Sequence, residues 1–287
     1  MDIFTLYAGQ GSLAAVRSGN EAIIVDAHMP ECDETSPDQI SKTLSDYLYD
    51  HRVRGLVLSG LDCDHACPTG VETILTTFTP DWVMYPKCYK PTDTASEVFA
   101  IIEWHEKKRK NTMRPLIRKS VRVDTVDSRY FKDLGIWFHG ELFSPHMEDM
   151  DSSNNSSIVL KLTGLDPTSF SYLVTGDTET DRWGRISAIF GTALASQVMA
   201  APHHGSKTGV HAQTLLNVSP DTVLISAGVD NQYGHPDAAA VLSFKRIAKH
   251  VYATNMTPQG TCLFTRRRGS EFETNLVRHS DLTAAAG

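Results

Sequence analysis

Acidic and imidazole side chains are concentrated directly after a short apolar run in the first quarter of the chain. The segment Leu58-Ser59-Gly60-Leu61-Asp62-Cys63-Asp64-His65 places two carboxylates and one imidazole within four positions. An α/β protein places its ligand sites where strands end, and this donor set suits Zn, Mn or Fe. The segment therefore predicts a metal site, with a solvated loop followed by a helix cap as the ordinary alternative.

Three further polar clusters follow apolar runs in distant parts of the sequence. They are Val174-Thr175-Gly176-Asp177, Ala201-Pro202-His203-His204-Gly205-Ser206-Lys207-Thr208 and Tyr233-Gly234-His235-Pro236. Each cluster alone is also compatible with a structural turn. Together they indicate a metal centre, because the ligands of such a centre converge in space rather than in sequence.

The elements that would position these clusters alternate between strands and helices. A hairpin through Gly9-Gln10-Gly11 precedes a strand at 22–26, a helix at 38–49 and a strand at 55–58. Further predicted helices cover 69–76, 95–110, 182–193, 212–216 and 238–249. Further strands lie at 82–85 and near Val121, Ile136, Ile158, Tyr172, Val198, Val223 and Val251. This pattern predicts one α/β domain over 1–287, with a helical, basic insertion at about 86–133.

Charge and length exclude several classes of protein. The chain has 287 residues, with 27 basic and 34 acidic side chains, so nonspecific binding to a polyanion cannot come from its net charge of −7. The apolar runs are too short to span a membrane, and the amino terminus lacks a signal-peptide pattern, which favours the cytoplasm. An odd number of cysteines favours free thiols, at Cys32, Cys63, Cys67, Cys88 and Cys262.

The segment from Glu103 to Arg122, here called the basic stretch, is positively charged, whereas the chain as a whole is negatively charged. Its candidates for contact with the phosphates of DNA or RNA are Lys107, Lys108, Arg109, Lys110, Arg114 and Arg118. A solvated helix face is the equally weighted alternative. Salt dependence of binding would separate the two.

A set of motifs in a fixed order carries a family resemblance. The set is Gly9-Gln10-Gly11, Ile24-Val25-Asp26, Ser59-x-x-Asp62-x-Asp64-His65, Asn154-Asn155-Ser156-Ser157-Ile158-Val159-Leu160, Thr175-Gly176-Asp177, Pro202-His203-His204-Gly205-Ser206 and Tyr233-Gly234-His235-Pro236. It resembles the metallo-β-lactamase superfamily, and more narrowly the soluble hydrolase domain of ComEC-type DNA-uptake proteins. The match runs over about 2–265, apart from 86–133. It implies a four-layer αββα sandwich with a metal-dependent site at one rim of two facing sheets.

The resemblance also implies a role for each motif residue. Asp64, His65 and His235 match terminal ligands of one metal, and Asp177 matches a carboxylate that bridges two metals. Asp62 matches a ligand of the second metal. His203 or His204 would lie beside the metal, as a ligand or as the acid that protonates the leaving group. The candidates for an acid or charge clamp at the leaving oxygen are His203, His204 and Lys207.

This chain departs from the family pattern in one half of the site. Gly60 stands where the pattern has a histidine, and Asn154 or Asn155 stands where many members have another. We therefore expect one firm divalent metal, Zn or Mn, and a second that is weak or absent. Ala66-Cys67-Pro68 replaces the usual glycine pair, and thiolate ligation by Cys63 or Cys67 is a minor alternative to burial of these thiols.

Two functions remain open from the sequence. The first is a metal-dependent hydrolase, a phosphodiesterase or nuclease, in which Asp64 and the other ligands hold the cation that activates water. The second is a degenerate interaction module, or an effector of a bacterial conflict system that a partner activates. Gly60 favours the second reading, and a protein partner or homo-oligomer is compatible with it.

Overall fold

Fifteen strands form two sheets in this computed structural model, which describes residues 1–30 and 35–279. In chain order the strands are β1 (Asp2–Thr5), β2 (Ala14–Ser18), β3 (Glu21–Val25), β4 (Arg52–Val57), β5 (Trp82–Pro86), β6 (Ile117–Val121), β7 (Arg129–Phe131), β8 (Phe138–Ser144), β9 (Val159–Gly164), β10 (Ser171–Val174), β11 (Val198–Ala200), β12 (Thr222–Ile225), β13 (His250–Ala253), β14 (Cys262–Arg268) and β15 (Glu271–Val277). The first sheet has the order β15-β14-β1-β2-β3-β4-β5-β6, and the second has the order β13-β12-β11-β10-β9-β8-β7. Strands β3 to β6 are parallel in the first sheet, as are β10 to β13 in the second.

Within residues 1–30 and 35–279, six α-helices lie on the outer faces of the sheets. They are α1 (Pro37–Tyr47), α2 (Pro68–Thr77), α3 (Asp93–Arg109), α4 (Thr180–Phe190), α5 (Ala212–Val218) and α6 (Ala238–Lys245). Local sequence sets where several of them begin. Ser36 caps α1 by accepting a hydrogen bond from the backbone N of Gln39, and Thr92 caps α3 in the same way.

Three apolar clusters define four layers. One cluster packs α1, α2 and α3 on the first sheet, the second lies between the sheets, and the third packs α4, α5 and α6 on the second sheet. Strand β3 is apolar from Ala22 to Val25 because both of its faces are buried. Ile24 faces the helices, and its neighbour Ile23 faces the other sheet. The predicted four-layer αββα sandwich is confirmed.

The stretch at 86–133 contains the predicted helix, the strand predicted near Val121 and one further strand. The helix is α3, and the predicted strand is β6, which pairs with β5 at the edge of the first sheet. The further strand is β7, which pairs with β8 at the edge of the second sheet. The strand predicted near Ile136 begins instead at Phe138, because Ile136 is 75% exposed and its backbone N donates to Glu21. Helix α6 ends at Lys245 rather than at 249, and His250 begins β13.

Loops after the parallel strands of both sheets meet at one rim. The backbone N of Ile158 donates to the carbonyl of Ser59 at 2.6 Å, and that of His203 donates to the carbonyl of Gly176 at 3.0 Å. Gln10 connects the first hairpin to the second sheet by accepting from the backbone N of Gly228 at 2.9 Å. These bonds bring the polar clusters of distant segments to the same place.

Two expectations about the whole chain can be compared with the described residues. None of the helices in 1–30 and 35–279 is both long enough and apolar enough to cross a bilayer. Cys63, Cys67, Cys88 and Cys262 are free thiols, as expected, and Cys32 lies outside the described residues.

Candidate metal centre

Four side chains from three loops, which follow β4, β10 and β11, converge at the rim. Asp64, His65, Asp177 and His204, here called the quartet, each offer one ligand atom, and these atoms all lie within 4.8 Å of one another. His65 Nε2 is 2.8 Å from Asp177 Oδ1, and His204 Nε2 is 3.3 Å from Asp64 Oδ2 and 3.7 Å from Asp177 Oδ1. Two carboxylates and two imidazoles thus surround one point.

Asp26, at the end of β3, fixes the orientation of His65. Its carboxylate accepts hydrogen bonds from the backbone N and the hydroxyl of Ser59, at 2.7 and 2.8 Å. The same carboxylate lies 2.9 Å from His65 Nδ1. A proton on Nδ1 satisfies that contact, so His65 turns its Nε2 lone pair toward the quartet.

Backbone conformations aim the two remaining segments. Gly176 has a φ of +50. A side chain would not fit there, because its Cβ would lie 2.6 Å from Ser157. The Ser157 hydroxyl then accepts a hydrogen bond from the backbone N of Asp177. His203 and His204 both have left-handed φ values, +50 and +52, which are strained for residues other than glycine and are typical of functional sites. His204 Nδ1 donates to the Ser226 carbonyl at 2.9 Å, so its Nε2 faces the quartet.

Three quartet atoms are buried without a hydrogen-bond partner of good geometry among the described residues. They are His65 Nε2, Asp177 Oδ1 and His204 Nε2. Leaving a buried polar atom unpaired costs about 1–3 kcal/mol, and native proteins rarely do so without a ligand or ordered water. A divalent cation would satisfy all three atoms at once, so the quartet has the donor chemistry that such an ion requires.

The electrostatics of the quartet favour positive charge at its centre. Burial alone would lower the pKa of His65, but the charges of Asp177 and Asp26 outweigh it and raise that pKa well above its usual value. Burial opposes the shift at Asp177 as well, yet His65 and His204 lower its pKa. For His204, Asp177 and Asp64 overcome burial and raise the pKa. Without a metal, protons on His65 and His204 supply this positive charge, and a bound cation would displace them.

The quartet opens into a cleft of ≈ 490 Å³. The residues that line it are Gln10, His28, Asp62, Cys63, Asp64, Asn154, Asp177, His203, His204, Gln232, Tyr233 and His235. Of the predicted site residues, two are not among them: the buried His65, and Lys207. The Lys207 side chain is exposed, and its backbone N donates to Asp237.

The structure assigns the predicted ligands to different positions in this cleft. His235 was expected beside Asp64, His65 and Asp177, but His204 occupies the fourth position of the group. The His235 ring lies further out, 5.7 Å from the ring of His203, and its Nδ1 is 3.9 Å from Asp237. Burial and the neighbouring imidazoles of His203 and His204 lower the pKa of His235.

The depleted half of the site comprises Gly60, Asp62 and Asn154. The Asp62 carboxylate accepts a hydrogen bond from the Ser153 hydroxyl. Asn154 lines the cleft, whereas Asn155 accepts a hydrogen bond from the backbone N of Glu179. Among the residues described, this half therefore presents one carboxylate, one amide and no imidazole of the expected pattern.

Cysteine ligation finds little support in the surroundings of the two thiols. Burial raises the pKa of Cys63 to about 11, and the neighbouring Cys67 adds to the shift. Among the described residues, neither thiol belongs to the group of ligand atoms that converges at the rim.

His28 is a cleft residue that the motifs did not single out. Its ring packs on Gly11, where a Cβ would lie 2.1 Å from the ring. Its Nδ1 donates to the Cys63 carbonyl at 2.9 Å, which leaves a lone pair on Nε2. Burial lowers the pKa of His28 and keeps this ring neutral. The signal in the sequence was its place two residues after Asp26, at the end of a buried strand.

The six candidate cations of the basic stretch have different surroundings in the structure. Arg109, expected at a phosphate, is buried and donates to the backbone carbonyls of Pro80 and Arg114. Three others are engaged by ion pairs, Lys107 with Glu103, Arg114 with Asp81 and Arg118 with Glu106. Lys108 lies over the ring of Trp104 at 4.4 Å, and Lys110 is exposed.

Two facing sheets between helical layers, with acidic and imidazole side chains at one rim, form the metallo-β-lactamase fold, and this chain has that fold. Its structure is similar to Igni18, a metallo hydrolase from Ignicoccus hospitalis, with a TM-score of 0.52 and 13% identity over 93% of this chain and 100% of that chain.

The sequence is similar to competence proteins, which confirms the resemblance predicted from the motifs. ComE operon protein 3 of Bacillus subtilis is 29% identical over 153 residues, which is 52% of this chain and 19% of that protein. Competence protein ComA of Neisseria gonorrhoeae is 33% identical over 99 residues, which is 34% of this chain and 14% of that protein. The chain thus spans less than a fifth of the length of these relatives. No protein-family model matches the chain.

Proposed function

We propose that this chain is a metal-dependent hydrolase that cleaves phosphodiester bonds of nucleic acid. One observation carries the proposal: four ligand atoms from three loops lie within 4.8 Å of one another, and three of them are buried without a well-aligned hydrogen bond among the described residues. The similarity to competence proteins and to a metallo hydrolase supports the direction of the proposal.

The ion that suits the quartet is Zn or Mn. Mixed carboxylate and imidazole ligands are typical of both, and the quartet accounts for one firm site. A divalent ion bound there supplies Lewis acidity and a water of lowered pKa. Burial of His65 and Asp177, each less than a tenth exposed, strengthens the electrostatic interactions at the reacting group.

The protein's own residues supply orientation and proton transfer. Asp26 keeps the Nδ1 proton on His65, so that ring presents the same lone pair throughout the reaction. His203 has Nδ1 at 3.1 Å from the Thr208 hydroxyl and Nε2 at 4.0 Å from Asp177 Oδ2. We assign His203 as the acid that protonates the leaving oxygen, because it lines the cleft beside the quartet without belonging to it.

Contact with the wider nucleic acid would come from exposed cations of the basic stretch. We assign this role to Lys108 and Lys110, since Arg109 is buried and the remaining candidates form ion pairs. Each phosphate contact makes binding depend on salt, so removing one lysine reduces the salt slope by about one. A slope that is unchanged in the Lys108→Ala, Lys110→Ala double variant would exclude this surface.

A second candidate function follows from the depleted half of the site. Gly60 brings no donor, and Ser153 engages the one carboxylate there. These features favour an interaction module, or an effector that a partner activates.

Metal content and hydrolysis, measured together, decide between the candidates. The chain is loaded with Zn or Mn and incubated with a generic phosphodiester and with single-stranded DNA. We expect one tightly bound ion and turnover in the unaltered protein, and loss of both in Asp64→Asn and His204→Gln. His51→Gln, a substitution of the same type on the surface, serves as control. Tight metal binding without turnover would favour the second candidate, and turnover that survives both variants would remove the hydrolase proposal.

A further inference from the structure

An exposed aromatic ring stands at the mouth of the cleft. Tyr233 lines the cleft and is 63% exposed. Its ring stacks on His235 with centroids 5.9 Å apart and planes inclined by 18°. The His235 ring is 5.7 Å from that of His203, whose Nε2 is 4.0 Å from Asp177 Oδ2. A row of rings therefore leads from the quartet to the exposed tyrosine.

The loop that presents Tyr233 is held by two amide side chains, those of Asn231 and Asn255. Asn231 Oδ1 accepts from the backbone N of Tyr233 and of His235, at 3.2 and 3.0 Å. Its Nδ2 lies within hydrogen-bond distance of the carbonyls of Gly228 and His235. Asn255 also donates to these two carbonyls. An exposed tyrosine on a loop fixed in this way offers contact area at a low cost in conformational entropy.

Uncharged groups and carboxylates dominate the walls of the cleft. No lysine or arginine is among the described residues that line it, and its charged groups are Asp62, Asp64 and Asp177. A divalent cation in the quartet, already balanced by the carboxylates of Asp64 and Asp177, can bind the oxygen of one phosphodiester. Further affinity for the substrate must then come from amides, imidazoles and the exposed ring rather than from ion pairs with a long polyanion.

We propose that Tyr233 is a stacking platform for one base of a nucleotide unit whose phosphodiester lies at the quartet. This inference rests on the proposed function and narrows its substrate to nucleotides with an unstacked base: single strands, strand ends or dinucleotides. Stacking on an aromatic ring tolerates every base, because each has a π-face. The pentose would lie along His203 and His235, and the cleft volume of ≈ 490 Å³ is within the usual range for small-molecule sites.

Binding to the metal-loaded chain tests the platform without requiring turnover. The probes are thymidine 5′-monophosphate and deoxyribose 5-phosphate, compared by calorimetry. We expect Tyr233→Ala to weaken the nucleotide by about 5- to 150-fold and to leave the sugar phosphate unchanged, while Tyr233→Phe retains affinity. Tyr49→Ala removes a ring that is 77% exposed outside the cleft and serves as control. The inference would be overturned if the unaltered protein bound both probes with equal affinity. It would also be overturned if Tyr233→Ala bound the nucleotide as tightly as the unaltered protein does.

Hydrolysis then separates the inference from the function on which it rests. The substrates are a dinucleotide, a single strand, an abasic single strand and a duplex. We expect Tyr233→Ala to raise KM for the base-bearing single strand and not for the abasic one, and the dinucleotide arm shows whether one unit suffices. Equal cleavage of duplex and single strand would overturn the platform while the hydrolase survives. If no substrate is cleaved, the hydrolase proposal fails, and the calorimetry still decides for or against the platform.

Discussion

The two halves of the cleft differ in what their donor atoms contact. In the quartet, His65 Nε2, Asp177 Oδ1 and His204 Nε2 face one another and lack other partners among the described residues. In the depleted half, Gly60 has no side chain, and the Ser153 hydroxyl engages Asp62. Buried polar atoms that lack well-aligned hydrogen bonds indicate a ligand, whereas atoms already hydrogen-bonded within the protein do not. The comparison indicates a site organised around one cation.

The largest effect is expected from removing the charge of Asp177. Its carboxylate contacts both His65 and His204, so Asp177→Asn removes the counter-charge that the two imidazoles share and leaves each with one carboxylate. Removing one partner of a buried charged pair costs about 3–5 kcal/mol, and a loss of that size in metal binding corresponds to roughly 150- to 4,000-fold in affinity. Metal titration with a competing chelator measures this loss. Asp230→Asn, the same change at an exposed carboxylate, is the control, and unchanged affinity in Asp177→Asn would end the assignment of the quartet.

A smaller loss is expected at Asp26, which contacts the quartet only through His65. Asp26→Asn suits the left-handed backbone at this position, where φ is +62, because asparagine tolerates that conformation. The amide presents a weaker acceptor to His65 Nδ1. Altering a group that orients a metal ligand costs about 10- to 100-fold in affinity or activity. The same titration should place this variant between the unaltered protein and Asp177→Asn, and a loss as large as that of Asp177→Asn would mean that Asp26 itself binds the ion.

The fold was predictable because apolar runs, glycine turns and strand-end polar clusters agree with one another along the chain. The fourth quartet residue could not be assigned from the sequence, since the motifs placed His235 in that position and left His203 and His204 as alternatives beside the metal. Left-handed backbones at His203 and His204, and the bond from His204 to the Ser226 carbonyl, decide which ring turns inward. His28 was missed for a related reason: its approach to the cleft depends on packing against Gly11, a contact between distant segments.

Restoring an imidazole at position 60 should sharpen the contrast between the halves. A Cβ at Gly60 would lie 3.5 to 3.7 Å from His65, which is ordinary contact, so the position accepts a side chain. We expect Gly60→His to raise the metal content from one ion per chain toward two, with the second ion bound more weakly. Gly60→Ala should remain at one ion. Elemental analysis after dialysis at graded metal concentrations measures the difference, and a single ion in both variants would show that the depleted half lacks more than this ligand.

The smallest effect concerns the hydrogen bond that occupies Asp62. Ser153→Ala removes the hydroxyl that donates to this carboxylate and leaves it available to a cation. A hydrogen bond to a charged group contributes about 1.5–3 kcal/mol, so its loss should strengthen binding of the second ion to Gly60→His by about tenfold or more. Ser153→Ala alone should change nothing at the quartet, because it leaves all four of its residues intact. If the double variant binds the second ion no better than Gly60→His, then Ser153 does not restrain Asp62, and Asn154 becomes the residue that limits this half of the cleft.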